Sequence, residues 1–140
     1  PAQTAQWSTH EAGRFGGVGV VEAVRADLEQ RARALKAAGV EAGRIWLDPG
    51  FGFGKTVEEN FSLLKHLDAF VALGYGVLVG TSRKSSVGAA LGGLPVDQRL
   101  EGTAATVAAA TLAQAACVRV HDVAEMARVV MVSMAVRNAE

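Results

Sequence analysis

Three short apolar runs set the architecture of this chain: RIWLD (Arg44 to Asp48), YGVLVG (Tyr75 to Gly80) and CVRVHD (Cys117 to Asp122). Each has the length of a buried strand, and each is followed by a polar loop and then a helical pattern. Ahead of the first run, Val21, Val24, Leu28, Ala32 and Leu35 recur at three- and four-residue steps, and Gly39 is placed to end that helix in a left-handed conformation. Thr56 and Glu59 have capping-box spacing at the head of a second helix. Its packing side is Phe61, Leu64, Leu67, Phe70 and Val71, and Gly74 stops it. A small-residue helix is predicted from near Leu100 through Ala116, and Asp122 with Glu125 caps a final helix carrying Met126, Val129, Val130 and Ser133. Residues 1 to 17 are polar and glycine-rich and read as a loop. Continuous apolar strands alternating with helices predict an α/β fold with a parallel sheet covered by helices. Residues 1–140 read as one domain, or part of one.

Charge narrows the partners. Fourteen basic and fourteen acidic side chains cancel, so no broad field recommends nucleic acid or an anionic membrane. No apolar run approaches the length that spans a bilayer, and the first residues lack the layout of a signal peptide. Cys117 is the sole cysteine, which rules out an internal disulfide and is compatible with a reducing cytoplasm. It is expected to be a buried small apolar residue.

Polar residues gather where each strand stops. The first run ends at Asp48, the second releases Ser82, Arg83, Lys84 and Ser85, and the third carries Arg119, His121 and Asp122. Parallel strands bring their C-terminal ends to one edge, where α/β proteins bind ligands. Arg119 and His121 are two apart and project to one side, as Trp46 and Asp48 do. Each residue also has a plainer reading. Asp48 before Pro49 fits a turn former, Asp122 a cap, His121 a structural histidine and Arg83 a solvated loop charge. The roles of Arg83 and Lys55 stay open. What favours function is that a carboxylate, a lysine, an arginine and a histidine converge at successive strand ends.

The stretch DPGFGFGKT (Asp48 to Thr56) is not a triphosphate cradle. A Walker loop needs four residues between its first glycine and the Gly-Lys pair, and Gly50 and Gly54 enclose three. Asp48 would also stand beside the polyphosphate. The glycines instead allow a tight fold that presents Phe51 and Phe53 near the mouth, with Asp48 free to accept two hydrogen bonds from a planar N–H array.

Four motifs, LDPGFGFGK (Leu47 to Lys55), GTSRKS (Gly80 to Ser85), RLEGTAA (Arg99 to Ala105) and RVHDV (Arg119 to Val123), resemble those of dihydropteroate synthase in order and spacing. The resemblance covers only the second half of that enzyme. It implies a (β/α)8 TIM-type barrel of which this chain supplies about the last three βα units, with the three runs as strands six, seven and eight. It implies condensation of 6-hydroxymethyl-7,8-dihydropterin pyrophosphate with 4-aminobenzoate, giving dihydropteroate and pyrophosphate in folate synthesis, with sulfonamides as inhibitors. By resemblance Asp48 binds the pterin amino and ring N–H groups, and Lys84 reaches the pterin and borders the aminobenzoate site. Arg119 lies against the pterin face and with His121 holds the departing pyrophosphate; Phe53 and Ser85 contact aminobenzoate. Lys84, Arg119 and His121 are the residues expected to carry catalysis. Magnesium is implied, with its ligand in the half of the enzyme that has no counterpart here, and so are a homodimer and a cytoplasmic location. A barrel of this kind needs about 250 residues, so the 140-residue chain is expected to be a fragment without turnover of its own. Two other readings fit less of the sequence. A pterin-binding methyltransferase domain has no need of the Arg119–His121 pair or the SRKS loop, and a non-catalytic module would dimerise through its last helices, where the alanine-rich stretch Ala104 to Ala116 allows close packing.

Overall fold

A computed structural model describes residues 19–140; the loop expected over residues 1–17 lies outside them. The described chain is α/β. Helix α1 spans Val20–Ala37 and leads through a 3-10 turn, Ala42–Arg44, to strand β1, Trp46–Leu47. Helices α2 (Val57–Lys65) and α3 (Asp68–Val71) precede β2 (Gly76–Val79). Then come α4 (Ser85–Ala90), a 3-10 turn at Val96–Gln98, α5 (Leu100–Leu112), β3 (Cys117–Val118) and α6 (Val123–Arg137). The strands form a parallel sheet in the order β1-β2-β3. Trp46 is in register with Gly76, Leu47 with Val77, Leu78 with Cys117 and Val79 with Val118.

Register divides the sheet into two faces. Ile45, Leu47, Val77 and Val79 are buried among helices. Ile45 and Leu47 pack with Ala32 and Leu28 of α1; Val77 and Val79 join Leu63, Leu67, Phe70, Val87 and Ala110. The opposite face carries Trp46, which stays 52 % exposed and lies where a Cβ on Gly76 would meet its ring at 3.0 Å. Cys117 shares that face and is half-buried, not fully enclosed as expected.

Local chemistry explains most boundaries. The capping box at α2 is complete: Thr56 Oγ1 accepts the Glu59 backbone N–H at 3.1 Å and Glu59 accepts the Thr56 N–H at 2.7 Å. The helix expected to run on to Val71 breaks instead at His66–Leu67, whose turn lets both Leu67 and Phe70 reach the core. The α5 helix stops at Leu112, short of Ala116, and Gln114 at φ 67° turns the chain into β3. On α6, Met126 and Ser133 face inward as expected, whereas Met131, Val132 and Val136 are 63–70 % exposed.

Candidate functional site

Two of the three strand ends, those of β2 and β3, meet in one cleft. A cleft of about 570 Å³ opens at the C-terminal edge of the sheet, lined by Ser82, Arg83, Lys84, Arg119, Val120 and His121, with Gly80 at its base and Val96 at its side. The ladder ends at Val118, yet the Arg119 N–H still donates to the Val79 carbonyl at 2.9 Å, which fixes where Arg119 leaves the sheet. Its guanidinium then crosses Gly80, with Nε 3.7 Å from where a Cβ would stand. His121 is held from the neighbouring loop. The buried Ser82 hydroxyl lies 2.8 Å from Nδ1 and accepts the His121 backbone N–H at 3.1 Å.

Lys84 bridges the cleft to the glycine-rich loop. Its stem lies on Gly52, where a Cβ would come within 2.9 Å of Cδ, and its ammonium sits 4.1 Å from the centroid of the Phe53 ring. Gly52 is therefore required twice, by its φ of 85° and by the lysine above it. Partial burial, and then the positive Arg119, hold the Lys84 ammonium below the usual lysine range, and Asp48 pulls the other way. Asp48 and Arg119 thus each act on the Lys84 ammonium, with opposite sign. Asp48 itself is exposed outside the cleft lining, and its carboxylate accepts the Gly50 N–H at 2.8 Å, as a turn former does. One carboxylate oxygen thus shapes the loop, and the group stays exposed. Ser85 is the exposed first residue of α4 and lies next to Lys84 but not on the cleft wall.

Several expectations are corrected. Phe51 does not stand at the mouth; it is buried, edge-on to Phe61 at 5.9 Å between centroids, and only Phe53 is presented. Lys55 belongs to the loop's scaffold: its buried ammonium donates to the carbonyls of Gly50 and Phe53 at 3.0 and 3.1 Å. Asn60, unremarked in the sequence, completes that scaffold by accepting the Gly52 N–H at 2.6 Å and donating to Ser86 Oγ at 3.1 Å. Asp122 occupies the N-cap position of α6 but makes no side-chain cap bond. Its two oxygens instead accept Nη2 and Nε of Arg83 at 2.6 and 3.2 Å. Those hydrogen bonds hold the Asp122 carboxyl below its ordinary range and push Arg83 further above its own. Arg83 is thus no free loop charge.

The RLEGTAA motif stood out in the sequence only by resemblance, and its work is seen in the structure. Arg99 donates to the carbonyl of Arg83 at 2.9 Å and Thr103 Oγ1 accepts the Arg83 N–H at 3.1 Å. They lie one helical turn apart, so one side of α5 grips one loop residue from both ends. Gly88 makes the reach possible, since a Cβ there would stand 2.4 Å from Arg99 Nε. Among the described residues, no group of three metal-ligating side chains converges.

A family model described as pterin binding enzyme matches residues 4–121. A dihydropteroate synthase of Clostridium beijerinckii is 46 % identical over 110 residues, which cover 78 % of this chain and 40 % of that protein. Among solved structures, a Coxiella burnetii dihydropteroate synthase in complex with pteroic acid superposes with a TM-score of 0.84 at 36 % identity, covering 89 % of this chain and 47 % of that one. The Xanthomonas albilineans dihydropteroate synthase with 4-aminobenzoic acid gives 0.85 at 37 %, covering 97 % and 49 %. The chain thus spans somewhat under half to half the length of these relatives. With the family model matched over residues 4–121, most of the chain, this chain belongs to the pterin binding enzyme family.

Proposed function

We propose that this chain contributes strands six to eight of a (β/α)8 barrel and the corresponding rim of a dihydropteroate synthase, joining 6-hydroxymethyl-7,8-dihydropterin pyrophosphate to 4-aminobenzoate. The observation that carries the reading is the meeting of Lys84, Arg119 and His121 on one cleft, with Asp48 coupled to it. The likeness to synthases solved with pteroic acid and with 4-aminobenzoic acid supports the choice of substrates. The half-exposed Trp46 face is where the remaining strands of a barrel would close.

In this reading the bond from the pterin methylene to the pyrophosphate oxygen breaks, and pyrophosphate leaves with the electron pair. The aminobenzoate amine attacks the methylene, forms the new C–N bond and gives up one proton. Arg119 and His121 stabilise charge on the leaving group, a use of preorganised donors that is strongest in a cleft shielded from water. Asp48 accepts from the pterin N–H array as a charged acceptor. Lys84 stands between the two substrates, and Phe53 and Ser85 border the aminobenzoate. Orientation of the amine supplies the rest of the acceleration. Magnesium, implied by the family, does not find a ligand set among the described residues.

The same reading carries a homodimer, supported by the exposed apolar side of α6, a cytoplasmic location and inhibition by sulfonamides. The 140-residue chain by itself is proposed to be inactive, since a barrel of this type needs about 250 residues. Calorimetric titration of the barrel-length protein with pyrophosphate tests the assignment. Saturable binding that competes with the pterin substrate is expected. Indifference to pyrophosphate, with pterin binding retained, would move the chain to the pterin-binding methyltransferases.

A further inference from the structure

Arg83 stands at φ 57°, a left-handed conformation that a non-glycine residue holds only when its surroundings over-determine it. Here they do. Its N–H donates to Thr103, its carbonyl accepts from Arg99, and its guanidinium forks onto Asp122. The residues on either side of it both work at the cleft: Ser82 holds His121, and Lys84 lies along the wall. Asp122, at the other end of the fork, directly follows His121 in sequence. One ion pair therefore links the backbone that aims Lys84 to the backbone that aims His121. The guanidinium itself is a poor candidate for an anion ligand, because Nε and Nη2 are spent on a carboxylate that neutralises it.

Resting on the synthase reading above, we propose that Arg83 is a positioning residue. Gripped by Arg99 and Thr103 and forked to Asp122, it turns Lys84 into the cleft and keeps it in register with His121, without touching substrate. The left-handed step at Arg83 redirects the chain from the end of β2 into α4, so any relaxation there moves the Lys84 ammonium off Phe53 and away from Arg119. Relaxation of the fork frees the loop that carries His121. The RLEGT stretch is then a part of the site that acts from behind it.

The test uses the barrel-length protein after its wild-type turnover has been established. Absence of that turnover would count against the synthase reading and not against this inference. Asp122→Asn keeps shape and removes the charge that orients the fork. It is expected to lower kcat/KM about tenfold, chiefly through KM for the pterin substrate, the scale of one charge-assisted hydrogen bond. Thr103→Val, which removes the acceptor of the Arg83 N–H, should act in the same direction, and Thr103→Ser should restore wild-type constants. Melting temperatures are recorded alongside. A kcat/KM within about twofold of wild type in Asp122→Asn overturns the inference even if melting falls, because the network would then be merely structural. So does a Thr103→Ser variant as impaired as Thr103→Val.

Discussion

Ser82 Oγ lies 2.8 Å from Nδ1 of His121 and accepts that residue's own backbone N–H at 3.1 Å. The hydroxyl keeps one proton to give, and we expect it to go to Nδ1, so that the neutral imidazole carries its own proton on Nε2. Long-range proton–nitrogen spectra should show Nδ1 as the unprotonated ring nitrogen. Ser82→Ala should weaken pyrophosphate binding about fivefold, the effect of roughly 1 kcal/mol for one hydrogen bond. A proton on Nδ1 in the neutral ring would reverse this assignment.

Arg119→Ala should reduce turnover in the barrel-length protein roughly a hundredfold to a thousandfold, as loss of one preorganised donor does elsewhere. Its backbone bond to Val79 does not involve the side chain, so folding should survive. Steady-state kinetics that match wild type would remove Arg119 from the anion site.

Lys84 gives a signature in stability. Burial and Arg119 lower its folded pKa, so it releases its proton before the unfolded chain's lysine does. Between the lowered value and the ordinary 10.5 the unfolded state binds more protons, and stability therefore rises with pH across that window. Urea titrations of wild type and Lys84→Met at a series of alkaline pH values should show this rise in wild type and its reduction in the variant. Parallel curves would contradict the placement of Lys84. Lys84→Ala should also weaken binding of both substrates, checked by calorimetry.

Gly102 lets α5 approach the helix before it. A Cβ there would stand 2.5 Å from Val87 Cγ1 and 2.9 Å from Leu91 Cδ1. Gly102→Ala should therefore destabilise by on the order of 1–3 kcal/mol, the usual cost of overpacking. A denaturation midpoint equal to wild type would show that the two helices separate freely.

The order of the three strands and the four longer helices was legible because it is written in local periodicity, whereas the short helices α3 and α4 were not read. Thr56 and Glu59 announced their helix by spacing alone, and Gly39 and Gly74 adopt the left-handed conformations expected of stops. The gathering of Lys84, Arg119 and His121 followed from the shared polarity of parallel strands, a rule of topology that needs no coordinates. What could not be read was which partner a charged side chain chooses. Asp122 has every local mark of an N-cap, and Arg83, thirty-nine residues away in sequence, outcompetes the helix for it. Phe51 and Phe53 are indistinguishable in the GFGFG pattern, and only the position of Phe61 decides which is buried. Arg99 and Thr103 look like an ordinary first turn of a helix until the loop they hold is in view.

Formation of dihydropteroate from pterin pyrophosphate and 4-aminobenzoate by the barrel-length protein, measured with wild type and with His121→Ala and Arg119→Ala, bears most directly on the whole account. Product should accumulate in wild type and fall by orders of magnitude in both variants while pterin binding persists. Product formed equally well by all three, or by none with both substrates bound, would mean that the cationic rim has another purpose.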